Sequence, residues 1–186
     1  MEELDKLIKD CAAGRQEALA KLYHLFSPKM YGVCLRYAKD ASEAEDSLQE
    51  GFLKVFANIK SFRNEGSLEG WIRRIMVNVS LGKCRKQYAL QPVEDVTVYA
   101  QESYSDDIIS NISANDLLEM IQELPPRYRL VFNLYVMEGM SHQEIAREMN
   151  ISEGTSKSNL SRARAILQQK VNNRFGEHRL KMNTKA

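Results

Sequence analysis

The sequence predicts an all-α protein of two small helical domains joined by an acidic linker. Three observations carry that reading. Apolar residues recur at spacings of three and four instead of two, as in Leu4, Leu7, Ile8, Cys11 and then Leu19, Leu22, Tyr23, Phe26. Neither strand alternation nor an internal repeat interrupts the pattern. Cutting the 186-residue chain by charge gives residues 1–91 with 15 Lys/Arg and 12 Asp/Glu, residues 92–116 with no base and six acids, and residues 117–186 with 11 and seven. The overall charge of +1 therefore conceals a basic, acidic, basic order. The expected boundaries are 1–90, 91–114 and 115–186.

In the first domain, Leu48, Phe52, Val55, Phe56 and Ile59 form a third apolar face, and Trp71, Ile72, Ile75, Met76 and Val79 a fourth, with Trp71 expected in the core. The middle segment, with Pro92, Glu94, Asp95, Glu102, Asp106 and Asp107, shows no helical period until Leu117, so it is read as a linker. Its Val93, Val96, Val98, Tyr99 and Tyr104 suggest that it lies along a surface. The second domain opens on Leu117, Leu118, Ile121 and Leu124, stops at Pro125-Pro126, and resumes through Val131, Leu134 and Tyr135.

Composition excludes several classes. No apolar run exceeds four residues, against about eighteen for a membrane span, and the acidic start Met1-Glu2-Glu3-Leu4-Asp5 is no secretory signal, so a soluble cytoplasmic protein without membrane insertion is expected. Cys11, Cys34 and Cys84 fit neither a disulfide framework nor paired zinc spacing and are read as reduced core or surface residues. His24, His142 and His178 make no catalytic cluster, and nothing nominates an enzyme, a metal or a cofactor.

From Ser141 onward the residues have the grammar of two helices meeting at a tight turn. Gly139 ends one helix, and Ser141 with Glu144 makes a capping box worth roughly 1 kcal/mol. Ile145 and Met149 face the core, Ala146 permits a close crossing, Asn150 tolerates a left-handed turn, and Ser152 caps the next helix. On that helix Ser156, Leu160, Ala163 and Leu167 point inward. Gly154, Ser158, Ser161, Arg162 and Ala165 point outward, with Lys157 at the flank. A helix with small residues around one arginine can sit deep in a major groove, where the serines and Arg162 reach bases or phosphates. An ordinary helical hairpin with a polar exterior is the alternative. Ser156 is the weak point, because that inward position usually carries a β-branched apolar residue. Two stretches free of acid, residues 70–93 and 154–174, suggest two polyanion contacts or two solvated faces.

Asp46, Gln49, Glu50 and Leu53 share one flank opposite Leu48 and Phe52. Without a nearby histidine the carboxylates make a poor metal site. A leucine ringed by acids and an amide is better explained as a docking patch for a basic protein.

Asp46-Ser47-Leu48-Gln49-Glu50-Gly51-Phe52-Leu53-Lys54-Val55-Phe56 resembles the helix by which sigma factors of the sigma-70 family bind the clamp of core RNA polymerase. Phe62-Arg63-Asn64-Glu65-Gly66-Ser67, followed by Trp71-Ile72-Arg73-Arg74-Ile75 and Asn78, is similar to the loop and helix that open the minus-10 element in the extracytoplasmic-function (ECF) group. Leu124 to Arg129, Glu138 to Ser141, Glu144 to Ala146 and Gly154 to Ser158 are similar to that group's minus-35-reading domain.

The resemblance, spanning about residues 8–172, implies a promoter-specificity subunit: a region 2 helical bundle, a region 4 helix-turn-helix domain and no domain between them. Asp46, Gln49, Glu50 and Leu53 would bind core polymerase. Phe62, Arg63, Asn64, Glu65, Gly66 and Ser67 would hold a flipped minus-10 base, with Arg73, Arg74, Asn78 and Lys83 near the strand. Lys157, Ser158, Ser161 and Arg162 would face the minus-35 element, with Arg127 and Arg129 on the DNA backbone. The linker would run where RNA emerges, and an anti-sigma protein is an expected partner besides polymerase and promoter DNA. Few aromatics near the pocket imply weak melting and stringent promoter choice. Ser156 and Asn159 stand where the family usually carries valine and arginine, so the minus-35 sequence does not transfer. A stand-alone regulator with an N-terminal sensing domain is the competing reading; it predicts salt-sensitive operator binding without polymerase. The opposite charges of linker and lobes imply a closed free form.

Overall fold

The computed structural model describes residues 2–89 and 113–176, and no strand occurs among them. The chain separates into two compact units, Met1–Cys84 and Arg85–Ala186. The acidic segment and its apolar residues lie outside the described residues, as does the closed free form expected from it.

In the first unit, α1 (Glu2–Ala12) leads through Gly14, at φ +76°, into α2 (Gln16–Tyr37). A single 22-residue helix, α2 passes through Pro28 on its exposed face. Asp40 starts α3 (Ala41–Asn58) by accepting the Glu43 amide at 2.9 Å, while the Glu43 carboxylate takes the Lys39 amide at 2.8 Å. These bonds satisfy donors that the first turn leaves open. After the 3₁₀ turn Ile59–Ser61 and the loop Phe62–Ser67, α4 runs from Leu68 to Ala89.

Leu22 and Met30 from α2, Leu48, Phe52 and Val55 from α3, and Ile72, Met76 and Val79 from α4 are buried together with Leu7 and Cys11 of α1. Truncating one such side chain to alanine costs about 2–5 kcal/mol. Gly51 lowers helix propensity by about 1 kcal/mol relative to alanine, but a Cβ there would lie 2.1 Å from the Met76 sulfur. The glycine lets α4 pack a methionine directly on the α3 backbone, behind the flank that carries Asp46 and Leu53.

In the second unit, Ser113 caps α5 (Ala114–Gln122), and Pro126 opens α6 (Pro126–Phe132) at the position where its missing N–H costs nothing. Instead of continuing as an α-helix, α6 widens into a π turn over Asn133–Met137, a change the periodicity does not reveal. Gly139, at φ +70°, breaks the chain toward α7 (His142–Met149), and α8 spans Glu153–Val171 before a second π turn over Asn172–Gly176. Met120, Ile121, Leu124, Leu130, Val131, Leu134, Ile145, Met149, Leu160, Ala163 and Leu167 form the core. The far end of α8 is tied to α5 by charge: Lys170 pairs with Glu123, and Arg174 meets Glu119 at 2.8 Å and Asp116 at 3.2 Å. That double contact holds the Arg174 guanidinium proton more tightly than usual, the Glu119 hydrogen bond being the larger cause.

Candidate protein- and nucleic-acid-binding faces

The flank of α3 is set by its helical period. Ser47, Leu48, Gly51 and Phe52 are buried, which turns Asp46, Gln49 and Leu53 outward; Leu53 is 68% exposed. Glu50 lies at the edge of this patch, and its carboxylate meets Lys54 at 2.8 Å and Lys83 at 3.8 Å. Among the described residues no group of three metal-ligating side chains occurs.

The loop Phe62–Ser67 is folded tightly. The Phe62 amide donates to the Ile59 carbonyl at 3.2 Å, and Ser67 caps α4 by accepting the Gly70 amide at 3.0 Å. Between them Asn64 (φ +58°) and Gly66 (φ +108°) both occupy left-handed backbone, and Asn64 donates from its side-chain Nδ2 to the Asp5 carboxylate of α1 at 3.4 Å. Arg63, Asn64, Glu65, Gly66 and Ser67 are exposed, whereas Phe62 is half-buried.

Trp71 corrects the sequence expectation. It is only half-buried, and its ring meets that of Phe62 with centroids 5.5 Å apart and planes at 53°. The Trp71 amide donates to the Ser67 carbonyl, so the residue belongs to the first turn, where the apolar face of α4 runs out at the loop. An indole is rarely buried completely, and that was the available signal for its place beside the loop. On α4, Arg74 and Asn78 are exposed about 40° apart around the helix. Arg73 is half-buried, and Lys83 lies on the opposite side, facing Glu50. The four residues therefore do not form one strip.

The start of α7 and its turn into α8 follow the expectation bond by bond. The Glu144 amide donates to Ser141 Oγ at 3.3 Å, and the Ser141 amide to the Glu144 carboxylate at 2.8 Å. These bonds hold the Glu144 carboxyl below the usual carboxylate range, the backbone bond from Ser141 being the larger cause. Asn150 adopts φ 53°, ψ 50°, and Ser152 Oγ accepts the Thr155 amide at 3.0 Å.

Along α8, Lys157, Ser158 and Ser161 are exposed and Arg162 is half-buried, all within about 140° of the helix circumference. The opposite arc holds Ser156, Asn159, Leu160, Ala163 and Leu167. Lys157 pairs with Glu153 at 2.8 Å and depresses its carboxyl, while Arg162 Nη1 reaches the buried Tyr128 hydroxyl at 3.5 Å.

One residue departs from expectation here. Arg129, expected on the DNA backbone, is 2% exposed and donates from Nη1 to the Gln122 carbonyl at 2.7 Å, bracing the end of α5. Asn159, for which no face was expected, is buried at 6% exposure. Ser156 is inward as expected and has a partner that sequence reasoning missed: Nδ1 of His142, 2.9 Å from its hydroxyl.

The family model for sigma-70 region 2 matches residues 22–89, and that for sigma-70 region 4 matches residues 114–167. The ECF RNA polymerase sigma factor SigW of Bacillus subtilis is 31% identical over 180 residues, covering 90% of this chain and 96% of that protein. The ECF RNA polymerase sigma-E factor of Haemophilus influenzae is 27% identical over 177 residues, covering 89% and 93%. Among solved structures, the sigma factor RpoE in complex with the anti-sigma factor NepR from Bartonella quintana aligns with a TM-score of 0.47 at 24% identity, over 81% of this chain and 94% of that one. The chain therefore belongs to the ECF group of the sigma-70 family of RNA polymerase sigma factors.

Proposed function

We propose that this sigma factor divides its work among three faces. Asp46, Gln49 and Leu53, with Glu50 at their edge, hold core RNA polymerase. The loop Phe62–Ser67, with Trp71, receives an unpaired minus-10 base while Arg73, Arg74 and Asn78 lie near the displaced strand; Lys83, turned toward Glu50 on the other side of α4, is left out of that contact. Lys157, Ser158, Ser161 and Arg162 read the minus-35 element, and Arg127 contacts its backbone. The observation that carries this reading is Leu53, 68% exposed on a helix whose opposite side is fully packed. An isolated protein leaves such a side chain in water at a cost, and a protein partner removes that cost.

The chain performs no chemistry of its own, because polymerase supplies the catalysis. It works in the cytoplasm, needs no cofactor, and is held in reserve by an anti-sigma protein. No helix among the described residues is long and apolar enough to cross a membrane. The linker would follow the path where RNA emerges. A stand-alone regulator is disfavoured because the first unit matches sigma-70 region 2 instead of a separate sensing module. Run-off transcription with purified core polymerase and a pool of genomic promoter fragments tests the proposal. Discrete transcripts that require both protein and core enzyme are expected, and transcription changes without core-dependent initiation would overturn it.

A further inference from the structure

The first two turns of α8 have an unusual composition. Glu153, Gly154, Thr155, Ser156, Lys157, Ser158 and Asn159 include no aliphatic or aromatic side chain, and the apolar anchors Leu160, Ala163 and Leu167 begin a turn later. An apolar residue at a core-facing position such as Ser156 would pin this end by packing alone. Here the position is fully buried and polar, so the pin must be a directional bond.

That bond comes from His142 at the start of α7, whose Nδ1 lies 2.9 Å from Ser156 Oγ. The imidazole is itself fixed, stacked on Tyr135 of the π turn with centroids 4.7 Å apart and planes at 24°. The Arg164 guanidinium lies 5.7 Å from the centre of the Tyr135 ring, closing a loop back onto α8. Ser156 and Arg164 are eight residues apart, so the helix is gripped at two points about 12 Å from each other. A hydroxyl both donates and accepts, so the bond to His142 forms with either tautomer of the ring and with its protonated form.

We infer that His142 and Ser156 are positioning residues for promoter reading: their hydrogen bond sets the angle at which Lys157, Ser158, Ser161 and Arg162 meet the minus-35 bases. Neither residue touches DNA in this account, and the inference rests on α8 being the minus-35 reader.

The test uses the full chain with core polymerase, on a promoter recovered by run-off from genomic fragments and on versions of it carrying single-base changes in the minus-35 element. The readout is the ratio of transcript from the original to transcript from the altered promoters, which is independent of how much protein is folded. Ser156→Ala, and His142→Phe, which keeps a ring on Tyr135, should each reduce that ratio by about three- to tenfold, the range of one net hydrogen bond. The double variant should be no worse than either single one, because both remove the same bond. Ser156→Thr, which retains the hydroxyl, should preserve most of the ratio. If Ser156→Ala and His142→Phe lower all transcripts equally and leave the ratio unchanged, the pair serves folding only and the inference is overturned. A wild-type ratio of one would instead remove the minus-35 assignment on which it stands.

Discussion

Lys83 of α4 places its ammonium 3.8 Å from the Glu50 carboxylate of α3, joining a residue expected near DNA to one expected against polymerase. With Lys54 at 2.8 Å, that carboxylate already faces two cations, whereas Asp46 and Gln49 stand exposed. Partly exposed pairs of this kind contribute about 0–1 kcal/mol. Asp46→Ala combined with Gln49→Ala should abolish capture of core polymerase in a pull-down, while Glu50→Ala should weaken it only several-fold. Equal loss from both would show that Glu50 sits at the centre of the patch.

Trp71 should matter for promoter opening out of proportion to its effect on stability. The Phe62–Trp71 pair adds about 0.5–1.5 kcal/mol to the fold, but stacking of an unpaired base on an aromatic ring is worth about 1–3 kcal/mol. Trp71→Ala should slow opening of a duplex promoter about tenfold, followed by 2-aminopurine fluorescence at the minus-10 element. A template with that region already unpaired should restore activity.

Arg127 and Arg129 separate by burial. Arg129→Ala removes a buried guanidinium and its bond to the part-buried Gln122 carbonyl and should lower the stability of the second unit by about 2 kcal/mol, read from chemical denaturation. Arg127→Ala, at a half-buried position, should lower stability less than Arg129→Ala does, weaken promoter binding evenly across sequences, and reduce the slope of affinity against salt by about one.

At the face of α8 proposed to read bases, Arg162→Ala should cost about 1–3 kcal/mol at one promoter position and relax discrimination there. Unchanged transcription across a set of promoter variants would remove Arg162 from the contact set.

Acid should destabilise the protein through its helix starts. Glu144 and Glu153 are held below the ordinary carboxylate range, the first by the Ser141 amide and the second by Lys157. A depressed carboxyl stabilises the fold above its unfolded pKa, near 4.3, and the contribution disappears as pH falls through the lower folded value. Melting temperature should therefore decline below about pH 4.5, and Ser141→Ala should both lower it at neutral pH and flatten the acid-side slope.

Features encoded by neighbouring residues were legible in the sequence. Ser141 with Glu144, Asn150 and Ser152 act within one turn of chain, and their bonds follow from residue type and spacing. The outward arc of α8 followed from a 100° step, as did the flank of α3. What escaped depends on distant partners. The burial of Arg129 follows from where α5 ends, and the satisfaction of Ser156 from a histidine 14 residues earlier. Trp71 shares the period of buried residues, yet its turn lies where the core gives way to the loop. The π turn at Asn133–Met137 leaves no mark on a pattern of apolar residues, yet it carries the Tyr135 ring that stacks on His142.

Burial lifts the Cys34 thiol to about 11 and also raises that of Cys11, while Cys84 donates from its sulfur to the Tyr37 carbonyl at 3.4 Å. All three are shut inside the first unit, and a protonated thiol is a poor nucleophile. Peroxide or disulfide stress thus finds no ready thiol among these three while the first unit stays folded. The same seclusion turns maleimide labelling into a clock for spontaneous opening of the first unit.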